Sequence, residues 1–190
     1  MAGSDNIGQN RLGSSFWARC TLAAHKSTVL SGALLLACLC FVYLGSMIQD
    51  GRSFLQGPGD PKASVTAVRS LVEDGDLDLK NQLGGVAAFA EDQVALGARG
   101  EWYPVHDNLM HFAAAPFYFL FGQKGCLIFN FAAALLLSFF IYRILLRLIE
   151  PPYAFVAALL SGINPVLMAS VNSFTYDVFG ALVLIASYWL

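Results

Sequence analysis

Charge is scarce in this chain of 190 residues: Asp, Glu, Lys and Arg make up 13% of it, about half the usual share of a globular domain. Eleven Lys and Arg stand against thirteen Asp and Glu, a net charge of −2, which excludes the basic field that recruits nucleic acid. The four cysteines build no disulfide framework. Cys38 and Cys40 fall inside an apolar run, Cys126 opens another, and Cys20 lies near the basic N-terminus, whereas a stapled secreted domain sets its cysteines in polar loops. Metal-ligand spacings, internal repeats and low-complexity stretches are also missing. What is present is apolar: 57% hydrophobic residues and a mean hydropathy of +0.60, gathered into long runs. Lipid is the solvent such runs imply, and an ordinary soluble domain is excluded.

The first run, Thr28 to Ile48, holds 21 residues without a charge, enough to cross a hydrocarbon core of about 30 Å. It exceeds the apolar region of a cleavable signal peptide, and Arg11, Arg19 and Lys26 precede it. It therefore reads as an uncleaved anchor after a cytoplasmic tail, residues 1–27. The segment 49–108 carries ten acidic and five basic residues, net −5, as suits the outer face. Leu109 to Phe121 is apolar but only 13 residues long, so it reads as a re-entrant or interfacial helix within an outer loop, 49–124. Further spans are expected at about 125–146, ending in Arg143 and Arg147, and at 153–171. A partial one follows at 177–190. If Leu109 to Phe121 crossed, the two arginines would fall outside, against the positive-inside rule. Because the last run closes in Ser-Tyr-Trp-Leu with no basic stop, the expectation is a piece of a longer polytopic protein in a bacterial inner membrane.

Within the loop, Asp60 and Pro61 suit the N-cap and first turn of a helix. Val65, Val68, Leu71 and Val72 give that helix one apolar face, fit for a membrane surface. The helix is expected to end at the acidic run Glu73 to Asp78, read as a solvated face on which a divalent cation is the one conceivable cofactor. Residues 81–99 read as irregular loop. Glu101-Trp102-Tyr103-Pro104-Val105-His106-Asp107 follows, its Trp and Tyr favouring an interface.

The ordered set of Gly59-Asp60, Ser70-Leu71-Val72-Glu73-Asp74-Gly75-Asp76-Leu77-Asp78-Leu79, Trp102-Tyr103-Pro104-Val105-His106 and Ala115-Pro116-Phe117-Tyr118-Phe119-Leu120-Phe121-Gly122 resembles the N-terminal part of bacterial GT-C membrane glycosyltransferases. That broad class includes protein O-mannosyltransferases and the aminoarabinose transferase of lipid A. The resemblance runs over about 28–190. It implies an all-α polytopic fold, a polyprenyl-phosphate sugar donor, and transfer on the outer face to a lipid, polysaccharide or protein acceptor. It maps the general base to Asp60 and a second acidic position to Asp177, with His106 at a recurrent polar position before the interfacial helix. Many members follow the aspartate with Glu, where this chain has Pro61 and Lys62.

Such chemistry needs a base for the acceptor hydroxyl and donors for the departing phosphate. Asp60 is the expected base, and Lys62, His106, Asp107 and Asp177 are the expected substrate-binding residues. Each also has a plainer reading. Asp60 serves as a helix cap, His106 and Asp107 hydrate a turn, and Asp177 is a helix-start carboxylate favoured by the dipole. His111, inside the apolar segment, reads as a hydrogen-bonded packing residue. The competing function is a non-catalytic polytopic subunit or scaffold. A transporter is disfavoured by the lack of ionisable residues inside the spans before Arg143, with Asn164-Pro165 the one hint of a broken helix.

Overall fold

The computed structural model describes residues 28–48, 60–82, 93–106 and 108–189. The described part is mostly helical. The first helix, α1, spans Thr28–Ile48. It is followed by α2 (Asp60–Glu73), a hairpin of β1 (Val94–Leu96) and β2 (Trp102–Pro104), α3 (Leu109–Phe121), α4 (Gln123–Leu145), α5 (Pro151–Gly162), α6 (Pro165–Val171) and α7 (Tyr176–Trp189). Two of these, α1 and α4, are each long and apolar enough to cross a membrane, and α5 with α6 qualifies only as a bent pair.

Ring and side-chain contacts fix the helix directions. Gly32 faces Tyr142 while Tyr43 meets Phe131, so α1 and α4 run antiparallel. Phe129 meets Phe179 and Phe140 meets Trp189, so α7 runs parallel to α4. The end of α1 and the start of α4 therefore lie at the same end of the bundle. α3 packs on that same end of α4, Phe117 meeting Phe129.

Lipid gives apolar helices no hydrophobic reason to associate, so close packing must hold them. Small residues permit it here: Ala133 and Ala134 of α4 and Ala154 and Ala158 of α5 are buried with Leu35, Leu39 and Tyr43 of α1. The Tyr43 hydroxyl donates to the Gly162 carbonyl at 2.9 Å.

The apolar run 153–171, expected as one span, is two helices bent by 57°. Pro165 has no N–H to continue α5, and Asn164 starts a new helix by accepting the Val166 N–H on its side-chain oxygen at 2.8 Å. The turn that follows is tied down from α4. Asn130 donates through Nδ2 to the carbonyls of Ser170 at 2.6 Å and Ser173 at 2.7 Å. The Asn172 amide donates to the Ser46 hydroxyl on α1. Backbone groups freed by a break among apolar helices are thus re-satisfied by neighbours.

The loop segment departs from expectation in one place. Part of the supposed irregular stretch 81–99 is β1, which pairs antiparallel with β2 so that Ala95 faces Tyr103. Residues 83–92 lie outside the described part. Trp102 is a strand residue, partly buried against Ala67, Leu79 and Val94. The run Glu73 to Asp78 is exposed from Glu73 to Asp76, as a solvated face should be, and it also organises the loop after α2. Asp76 accepts from the Ser70 hydroxyl and the Asp78 N–H, and Asp78 accepts from the N–H groups of Lys80 and Trp102. Those bonds fasten the hairpin to the end of α2.

Candidate functional site

Four segments meet where the polar loop joins the apolar helices: α2, the end of the hairpin, α3 and the head of α7. The apolar face of α2 is covered by α3, Val65 and Val68 packing with Met110, Ala114 and Tyr118. Ser64 interrupts that face and is fully buried. Its hydroxyl donates to the Tyr176 hydroxyl at 2.8 Å. Tyr176 in turn reaches Nε2 of His111 at 3.0 Å, and Nδ1 of His111 faces Oδ1 of Asn108 at 3.3 Å. One proton arrangement satisfies all three contacts: Ser64 donates to Tyr176, Tyr176 donates to Nε2, and Nδ1–H donates to Asn108. His111 is fully buried, as a packing histidine should be, and its ring stands edge-on to Tyr176.

His106 lies on the exposed side of this chain of bonds, its ring centroid 4.6 Å from that of Tyr176. It is thus the one expected binding residue that the fold brings to the network through a described contact. Lys62 is exposed on α2, two residues before Ser64. The backbone of α2 begins at Asp60, but its side chain, like the whole of Asp107, lies outside the described residues.

Asp177 goes elsewhere. Consecutive helical residues point about 100° apart, so with Tyr176 turned toward α3, Asp177 faces a groove bordered by Leu137, Ile141, Asn164 and Ser170. Hence the shared outer site expected for Asp177 and His106 is divided between two faces of α7.

The exposed flank of α2 carries an ion pair, Arg69 Nε to Glu73 Oε2 at 2.8 Å, whose hydrogen bond and charge hold the guanidinium above its ordinary range. Among the described residues no group of three or more His, Cys, Asp or Glu is placed to hold a metal ion, and Asp76 and Asp78 accept the loop hydrogen bonds given above.

At the opposite end of the bundle, Arg143 and Arg147 both sit over the Trp189 ring, at 5.5 and 3.9 Å from its centroid. Cation–π contact of this kind suits a basic pair at the boundary of an apolar helix.

Ser64 and Tyr176, the centre of the network, carry no motif. The one sequence signal is a serine placed among valines on the buried face of α2, which demands a partner.

Comparison of the chain with known protein families, with curated proteins and with solved structures returns no match.

Proposed function

We propose that this chain acts in a membrane glycosyltransferase of the GT-C kind, moving a sugar from a polyprenyl-phosphate donor to a lipid, polysaccharide or protein acceptor. The observation that supports this reading is the Ser64–Tyr176–His111 hydrogen-bond chain, which anchors the first turns of α2 at the head of α7. The α2 backbone begins at position 60, about one helical turn before Ser64. The α2 backbone therefore starts beside the point where polar loop and apolar helices meet, where a lipid-borne donor and a water-borne acceptor can both arrive.

In this reading Asp60 takes the proton of the acceptor hydroxyl as its oxygen attacks the anomeric carbon. The bond from sugar to phosphate breaks, and the phosphate leaves on the polyprenyl chain. Lys62 and His106, exposed on the same junction, supply cationic or hydrogen-bonding groups for that phosphate. Asp107 orients the acceptor.

The test is transfer of a labelled sugar from polyprenyl phosphate by membranes carrying the protein. Asp60→Asn keeps the size of the side chain and a hydrogen-bonding oxygen while removing the base, so transfer is expected to be lost with the protein still folded. Undiminished transfer by Asp60→Asn removes the assignment.

One observation favours a second reading, a non-catalytic polytopic subunit: Ser64, Tyr176 and His111 are engaged with one another, as in a structural tie. That reading is sustained if a partner complex falls apart without this chain while sugar transfer resides wholly in the partner.

A further inference from the structure

The groove that Asp177 faces lies between α4, α5, α6 and α7 and offers about 390 Å3, a volume within the range of small-molecule sites. Its polarity is graded. Asp177 at the head of α7 is the charged lining group, with Ser161, Asn164 and Ser170 as the other polar ones, whereas Leu137, Ile141 and Ala181 are among the apolar ones. Because α4 and α7 run parallel, Ile141 and Ala181 lie further along the bundle than Asp177. The groove therefore carries its carboxylate at the head of α7 and apolar side chains further along α4 and α7.

The Asp177 side chain is exposed in this setting and makes no ion pair among the described residues. Lys, Arg and His are absent from the groove lining. Asp177 is thus the single charged group lining the groove, and a cationic group is its electrostatic complement. Asn164 does not substitute as the anchoring acceptor, since its side-chain oxygen already caps α6.

We propose that this groove is a lateral binding site for an amphiphile with an ammonium headgroup. The ammonium sits on the Asp177 carboxylate and the hydrocarbon chain runs along Leu137 and Ile141. A headgroup bearing only phosphate is disfavoured by like charge. The site is separate from the junction around Tyr176 and stands whether or not the chain takes part in sugar transfer.

The full chain, purified in a neutral maltoside detergent, is exposed to a dodecyltrimethylammonium probe carrying a diazirine in its alkyl chain, and labelled peptides are mapped by mass spectrometry. Labelling is expected on the stretch 137–141 and on 166–167. It should fall about tenfold, as for loss of a charge-assisted contact, in Asp177→Asn and with an uncharged probe of equal length. Ala181→Phe, which fills the groove without altering its charge, should block labelling as well, and Arg143→Gln should leave it intact. Equal labelling by the uncharged probe overturns the proposal, as does full labelling of Asp177→Asn. Should Asp177→Asn fail to fold, Ala181→Phe and the uncharged probe decide the matter alone.

Discussion

The Tyr176 hydroxyl meets Nε2 of His111 at 3.0 Å across 65 residues of sequence. This contact joins the head of α7 to α3, and through Ser64 it reaches α2 as well. It is a polar tie that holds α2 and α3 to the head of α7. Removing the Tyr176 hydroxyl takes one hydrogen bond from each of two buried residues, Ser64 and His111. Tyr176→Phe should therefore cost about 1–3 kcal/mol, read as a lower unfolding temperature in detergent. His111→Asn, which restores only part of the contact, should cost less than His111→Leu.

Two buried tyrosines offer a matched comparison. The Tyr43 hydroxyl donates to the Gly162 carbonyl, whereas the buried Tyr142 hydroxyl has no hydrogen-bond partner among the described residues. Tyr43→Phe should destabilise by about 1 kcal/mol, and Tyr142→Phe should be neutral or slightly stabilising. Thermal unfolding of the two variants side by side checks the ordering. Equal losses would contradict it.

Close approach of α3 to α4 depends on glycine. Gly122 turns the chain at φ 61°, and a Cβ on Gly125 would stand 2.0 Å from the Phe117 carbonyl oxygen. Backbone cannot yield as a side chain does, so Gly125→Ala should cost about 3 kcal/mol, the upper end of overpacking. A Cβ on Gly162 would instead meet Leu39 Cδ2 at 2.6 Å, the flexible end of a side chain. Gly162→Ala is expected to be the milder change, and unfolding in a mild denaturing detergent measures the difference.

Asp78 accepts from the Trp102 N–H at 2.9 Å and the Lys80 N–H at 3.1 Å. Asp78→Ala should free both amides and release the hairpin from α2 while leaving the α4 and α5 packing intact. Hydrogen exchange is expected to quicken several-fold at Leu79 and Trp102, whose backbones also pair with each other at 2.8 Å. Unchanged exchange at these amides would show that the strand contacts alone hold the hairpin.

How far the fold can be read from the sequence differs between elements. α1 starts and stops where its uncharged run does, and α3 coincides with the apolar segment Leu109 to Phe121. α2 begins at the Asp60-Pro61 pair, because the signals that start a helix are local. The break at Asn164-Pro165 was visible as a hint, since a proline without an N–H interrupts any helix, but the 57° angle depends on how α6 packs against α4 and α7. The hairpin leaves no periodic signal in the sequence. Its strands are three residues each and too short to show an alternation, and they are held by Asp78 from a different element.

The candidate site divides along the same line. Sequence gives His106 as a polar residue beside an apolar segment, but it cannot show that the ring lies on Tyr176. It places Tyr176 and Asp177 side by side, although helix geometry sends them to different faces of α7, one toward His111 and one into the groove. Asp76 and Asp78 look like free charge in the sequence and are occupied in the fold.

Composition and run length by themselves determined that this is a chain with apolar helices long enough to cross a membrane, since transfer of uncharged side chains into lipid is additive and local. Helix starts, the proline break and the direction of charge bias belong to the same local physics. Tertiary structure alone decided that Ser64, His111 and Tyr176 satisfy one another and that Asp177 turns away from them. Buried polar atoms must find partners wherever the packing of apolar faces brings them, and no spacing in the sequence records that outcome.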